Sequence, residues 1–220
     1  MTTRSMAVRL LSVNVGLPGV IGMRGDEPVV SGIAKQPVAP GLRRLEVVGL
    51  EGDGQADLVN HGGRDKAVYA YPSEHLPAWS AELDMTCGPA TFGENLTTEG
   101  VNEDDVCIGD TWVWGDAILE VAQPRFPCYK LALHVRRPDL PKRLVASGRT
   151  GWYLRVLRPG TVSPHDEVRI LARHGAGVSV LTAHLAGLPG RLEPEAVDRV
   201  RDLAPLAEAW KRRLASAKLA

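Results

Sequence analysis

Short runs of β-branched and aromatic residues, cut off from one another by glycine and proline, dominate residues 8–171 and leave little room for long helices. The runs at 8–15, 30–35, 43–48, 66–71, 111–114, 117–122, 152–157 and 168–171 read as strands. Trp114-Gly115-Asp116-Ala117 supplies a tight turn between two of them, because glycine tolerates the positive φ of such turns. Many short strands separated by turn signals predict a barrel or a sandwich. With 44% of 220 residues hydrophobic, the chain can build a sizeable core.

Helical signals interrupt this pattern and then replace it. Ser73 is placed to cap a helix running to Leu83, with Pro77 near its first turn. Residues 129–137 and 140–147 are shorter candidates. After Gly175 and Gly177 the pattern changes: Ser179 is placed to cap a helix to Leu188, and residues 193–204 carry Val197, Val200 and Leu203 at helical spacing. Pro205 suits the first turn of a last helix with Leu206, Trp210 and Leu214 on one face. The expected boundary between a β-rich body and a helical appendage lies near residues 173–177.

Lysine plus arginine and aspartate plus glutamate number 26 each, so the formal net charge is zero and a whole-surface partnership with nucleic acid is disfavoured. The three cysteines, Cys87, Cys107 and Cys128, form no CxxC pair and make a poor disulfide framework. No apolar run is long enough to span a membrane, and the N-terminal apolar stretch lacks a cleavage pattern. A reducing cytoplasm is the expected location.

The unusual residues cluster between Gly49 and Lys130 in three pieces. GLEGD (49–53) is followed by NHGGRDK (60–66); FGENL (92–96) comes next; IGD (108–110) and QPRFPCYKL (123–131) close the set. Cys128 follows a strand and two prolines and stands at the start of a candidate helix, flanked by Arg125 and Lys130. A helix N-terminus and nearby cations both favour thiolate, the form that binds soft metals or attacks electrophiles. The competing reading is a small buried apolar cysteine, and for Cys87 and Cys107, which lack basic flanks, that reading prevails. Glycine-rich turns can line an anion nest, and Arg64, Lys66, Arg125 and Lys130 can add charge-assisted hydrogen bonds to phosphate. Asn95 carries both a donor and an acceptor for a heterocycle edge. Asp53 serves either as a turn residue or as a buried acceptor for pterin nitrogens, and His61 either contacts an anion or belongs to the loop. HxH, HExxH and the common nucleotide-binding loops are all absent.

GLEGD, NHGG, DKAVYAYP, FGENL, IGD and PRFPCYKL, in this order and spacing, resemble the molybdenum-cofactor sulfurase C-terminal (MOSC) domain. They resemble most its stand-alone bacterial YiiM-like branch, associated with resistance to 6-N-hydroxylaminopurine. The resemblance covers residues 32–171, and the tail is similar to the small three-helix domain that follows in that branch. It implies a mainly β fold: a barrel-like domain with a few short helices over residues 1–173, then a small α-helical domain over 174–220. It further implies a molybdopterin pocket in which Cys128 ligates molybdenum. Asn95, Arg125 and Lys130 match motif positions near that pocket, and Asp53, His61, Arg64 and Lys66 fall on the glycine-rich motifs.

The activity implied is reduction of N-hydroxylated compounds, such as hydroxylaminopurines, amidoximes or hydroxylamines. Thiolate and dithiolene sulfur suit molybdenum by softness. No flavin or nicotinamide loop is evident, so a separate flavoprotein or ferredoxin-type reductase is expected to supply electrons. The alternatives are sulfur carriage as a persulfide on Cys128, or cofactor binding and storage without turnover. The tail leucines and Trp210 are expected to pack internally. Their competing roles are a homodimer contact or a docking face on which Lys211, Arg212 and Arg213 attract an acidic reductase.

Overall fold

A computed structural model describes residues 7–57 and 62–217. In chain order the strands are β1 (Ala7–Val15), β2 (Gly19–Arg24), β3 (Glu27–Ser31), β4 (Gln36–Pro37), β5 (Arg43–Glu46), β6 (Gly49–Leu50) and β7 (Val68–Pro72). Helix α1 (Leu76–Leu83) leads to β8 (Leu96–Glu99), β9 (Thr111–Trp114) and β10 (Ala117–Pro124). Then come α2 (Tyr129–Val135), α3 (Leu140–Ser147), β11 (Trp152–Arg158), β12 (Gly160–Val162) and β13 (Val168–Ala172). The tail holds α4 (Val180–Ala186), α5 (Pro194–Arg201) and α6 (Glu208–Ala217).

Seven strands close on themselves in the order β13-β9-β10-β11-β7-β8-β1, and β1 returns to β13 through Ala7 opposite Arg169 and Val8 opposite Val168. All neighbouring pairs are antiparallel except β7–β8, whose connection carries α1 across the outside. Closure removes the free edges of an open sheet. Alternation along each strand fills the interior: Trp112, Trp114, Leu119, Val121, Trp152 and Leu154 are all buried. A second cluster, Tyr71, Trp79, Phe92, Leu131, Leu140 and Leu144, packs α1, α2 and α3 against the barrel's outside.

The helical tail belongs to the first of these cores. Val180, Ala183, Val200, Leu206, Trp210 and Leu214 lie in the same continuous cluster as the barrel residues. Trp210 Nε1 donates to the Ala183 carbonyl at 3.1 Å, and the Ala207 amide donates to the Ala122 carbonyl of β10 at 2.9 Å. Trp210 and the leucines are therefore internal.

Several boundaries differ from the sequence reading. The run 30–35 was expected as one strand, but β3 ends at Ser31. At Gly32 a Cβ would sit 2.1 Å from the Gly54 carbonyl oxygen, so two backbones pass too closely for a side chain and the segment leaves the hairpin. Lys66, expected in a strand, ends a 3-10 turn (Arg64–Lys66), and β7 begins at Val68. Ser73 opens a short 3-10 turn instead of capping α1, whose N-cap position is His75. Ser179 does cap α4, accepting from the Thr182 amide at 3.0 Å. Pro205 lies in a turn before α6, because Ala207 is committed to β10. β8 was not anticipated. Its buried Thr97 and Thr98 satisfy their hydroxyls internally, on Glu94 and the Tyr71 carbonyl, so the strand reads as polar.

His184, 1% exposed, ties the tail to α3 through Nε2 and the Val145 carbonyl at 2.8 Å. Burial holds its pKa below the usual 6.5. A depressed folded-state pKa means the neutral ring's contribution is complete above pH 6.5 and is lost as pH falls through the folded value. The thermal midpoint is expected to fall between about pH 7.5 and about pH 5.5, with a shallower fall in His184→Gln, which keeps a donor but cannot titrate. Identical slopes would exclude His184 as the titrating group.

Candidate functional site

One end of the barrel carries a cleft where the 31–35 and 53–57 segments face the chain leaving β10. β10 stops at Pro124, and the Arg125 amide donates to the Gly151 carbonyl at 3.1 Å, so the chain turns sharply across the barrel mouth. Pro127 stiffens the exit. Cys128 follows in an extended conformation (φ −125°, ψ 175°) as the N-cap residue of α2, half-buried in the cleft wall.

Arg125 is the central cation. Only 5% exposed, it sits over the Tyr69 ring at 4.9 Å and lines the cleft beside the Tyr153 phenol. Burial opposes its charge, but the two phenols and the Cys128 sulfur hold its pKa above the usual value. Burial in turn pushes both tyrosines up, so they remain neutral phenols. One guanidinium nitrogen, Nη1, is buried with no hydrogen-bond partner. A buried charged donor left unpaired is costly, and an anionic or acceptor-rich ligand removes that cost.

Other cations stand around it. Lys66 lines the cleft; burial lowers its pKa, while Asp57, Asp65 and Cys128 act to raise it. Lys130 also lines the cleft, and its Nζ donates to the Val30 carbonyl at 3.2 Å, tying α2 to β3. Arg64 is exposed and lines a neighbouring groove beside α6. His61 lies outside the described residues.

Asp53 and Asn95 form the floor. Asp53 Oδ1 accepts from the Gly16 amide at 2.9 Å and pairs with Lys35, which is 8% exposed. Its other oxygen accepts from Asn95 Nδ2 at 2.9 Å. Asn95 Nδ2 also donates to the Asn14 carbonyl, and Asn95 Oδ1 accepts from the Tyr69 amide at 3.0 Å. The Asn95 amide, expected at a heterocycle edge, thus ties three segments together and aims Asp53. Below it, buried Glu94 accepts from the Ala90 and Phe92 amides and the Thr97 hydroxyl, which fixes the FGEN turn.

Seven of the eight residues singled out by sequence are described, and six of these, all but Arg64, line the Cys128 cleft. Sequence reasoning missed Lys35, Tyr69 and Tyr153. Tyr69 lay inside a motif already noted, whereas Lys35 was hidden in an expected strand. Cys87 and Cys107 lie elsewhere, and burial raises the pKa of both. Among the described residues no group of three or more His, Cys, Asp or Glu side chains could hold a metal ion. A metal here would bring most of its ligands with it and take a single thiolate from the chain.

Residues 57–169 match the MOSC domain family model. The uncharacterized protein YflK of Bacillus subtilis (strain 168) is 41% identical over 92% of this chain and 90% of its own length. Protein YiiM of Escherichia coli (strain K12) is 36% identical over 86% and 85%. A protein named reductase from Gibberella moniliformis is 39% identical over 73% of this chain, which spans 29% of that protein. The crystal structure of YiiM from Geobacillus stearothermophilus superposes with a TM-score of 0.79 at 32% identity, covering 96% of this chain and 98% of that one.

Proposed function

The chain belongs to the MOSC domain family, and from that membership we propose that it holds a molybdenum cofactor beside Cys128 and reduces N-hydroxylated compounds. The unpartnered, buried Arg125 Nη1 beside the thiol carries this reading. Molybdopterin is an anionic, hydrogen-bonding heterocycle that brings sulfur ligands of its own. The donor set fits it: one soft thiolate, a buried guanidinium, Lys66 and Lys130, and a hydrogen-bonded floor. The relative named as a reductase supports an enzymatic role for the family.

When bound, the cofactor supplies a two-electron centre for removing the oxygen of an N–OH group. The overall change balances as R–NH–OH plus two electrons and two protons giving R–NH2 and water. The chain's own residues position and tune. Cys128 offers one thiolate from a stiff, extended segment. Arg125, braced by Tyr69 and Tyr153, neutralises negative charge without solvent reorganisation. Lys66 holds a proton at Nζ that burial makes easier to release than that of an exposed lysine. Electrons come from a separate flavoprotein or ferredoxin-type reductase.

The test is cofactor content and turnover of protein from a molybdenum-replete host, with a reduced dye as donor. Wild type is expected to carry molybdenum and pterin and to convert a hydroxylaminopurine to the aminopurine. Arg125→Met is expected to retain about tenfold less cofactor. A loaded wild type that reduces no N-hydroxylated compound would remove the reductase reading.

A further inference from the structure

Gln55, on the cleft wall, uses both branches of its amide on backbone groups from separate stretches of chain. Its Nε2 donates to the Val48 carbonyl at 3.1 Å and to the Lys66 carbonyl at 3.4 Å, and its Oε1 accepts from the Gly63 amide at 3.0 Å. These partners fix the amide orientation, because a carbonyl can only accept and an N–H can only donate. The Lys66 amide in turn donates to the Gly63 carbonyl at 3.1 Å, which closes the 3-10 turn Arg64–Lys66. One side chain therefore holds this turn at its entrance and its exit, and fastens it through Val48 to the connection between β5 and β6.

Gly62 serves the same arrangement. A Cβ there would lie 2.1 Å from Gln55 Oε1 and 2.9 Å from its Cδ, so the amide occupies the place of a side chain at 62. The turn ends on Lys66, which lines the cleft with Cys128, and the sulfur is among the charges that act on its ammonium. With the Lys66 N–H and C=O both tied, only its side-chain torsions remain to carry Nζ.

We propose that Gln55 is a positioning residue. By pinning the turn from Gly63 to Lys66 it keeps the Lys66 charge at Cys128, and so makes the thiol's side of the cleft selective for anionic over neutral partners. This deepens the reading above, in which an anionic group enters beside the thiol. A lysine released to swing into solvent loses most of its hold on that site, because water and salt screen the charge.

The test reads the local charge at one pH, in full-length protein made without molybdenum. Cys128 is alkylated with iodoacetate and with iodoacetamide, and each rate at Cys128 is followed by peptide mass spectrometry. Both reagents meet the same thiolate and differ in charge, so their rate ratio reports the potential at the sulfur and cancels its ionisation. Cys107, half-buried outside the cleft, is the reference thiol. Melting curves confirm folding of each variant. Lys66→Met is expected to lower the iodoacetate to iodoacetamide ratio at Cys128 by about three- to tenfold. Gln55→Met, which keeps the length and loses the hydrogen bonds, is expected to lower it by about threefold. Gly62→Ala, which pushes the Gln55 amide off its partners, should act in the same direction. The double variant Gln55→Met with Lys66→Met should match Lys66→Met alone, because a residue acting through Lys66 then has nothing to act on. The Cys107 ratio should hold throughout. An unchanged ratio in Gln55→Met, a ratio in Lys66→Met equal to wild type, or a further fall in the double variant overturns the proposal. None of these ratios involves molybdenum. If they fall as expected while loaded wild type reduces no N-hydroxylated compound, the reductase reading fails and the role of Gln55 stands.

Discussion

Cys128→Ser is expected to fold at least as well as wild type and to lose molybdenum-dependent turnover by about 100-fold or more, beyond the cost of losing an outer partner of a metal ligand. The two halves of this result have separate causes. Cys128 occupies the N-cap of α2 with extended dihedrals and makes no capping hydrogen bond of its own. Serine is among the preferred N-cap residues, so the substitution supplies a bond to the helix that cysteine does not. The same change replaces a soft, readily ionised sulfur by a hard, neutral hydroxyl, which molybdenum disfavours. Cys128→Ala should lose activity equally but without the gain in α2. Melting temperature and metal content, read on the same preparations, separate the effects. Full turnover by a loaded alanine variant would end the assignment of Cys128 as a ligand. A persulfide on Cys128 of wild type treated with a cysteine desulfurase, together with absent reductase activity, would move the function to sulfur carriage.

Asp53→Ala should be among the most destabilising single changes in the cleft, by about 3–5 kcal/mol, or about 10 °C in melting temperature. The loss has little to do with the worth of an ion pair as such. Removing the carboxylate strands the buried Lys35 ammonium and takes the acceptor from the Gly16 amide and from Asn95 Nδ2. Burial already lowers the Lys35 pKa, with Asp53 opposing the shift. The double variant Lys35→Met with Asp53→Ala removes both charges and is expected to recover part of the loss, because an unpaired buried charge costs more than an absent pair. A double variant no more stable than Asp53→Ala alone would show that Lys35 does not depend on Asp53.

The barrel was legible in the sequence wherever side-chain alternation does the burying. The runs around Trp112 and Trp114, Leu119 and Val121, and Trp152 and Leu154 announce strands because their inward positions are large and apolar. The pattern failed where polar groups are buried and paired with one another. β8 buries threonines on both of its faces, and their partners become visible only when Glu94, Asn14 and Tyr71 are brought beside them. The same limit applies at the cleft. Cys128, Arg125 and Lys130 stand out together in one stretch of chain, whereas Lys35 meets Asp53 across eighteen positions and Asn95 meets it across forty-two. Asn95 was visible as a motif residue, but its role was not, since an amide's partners are set by three-dimensional neighbours. Gln123 stood inside a noted motif, but its unpartnered oxygen did not show there, because an unsatisfied atom is a property of packing, which sequence does not express.

The ring of strands also sets a timetable. Among the described strands β1 comes first and β13, its closing partner, last, so the barrel stays open until β13 has been made. Every piece of the cleft is made within that interval, and the helix that backs Cys128 emerges later still. Contacts this distant in sequence form slowly. The cleft therefore takes its final form only when β13 has paired with β1.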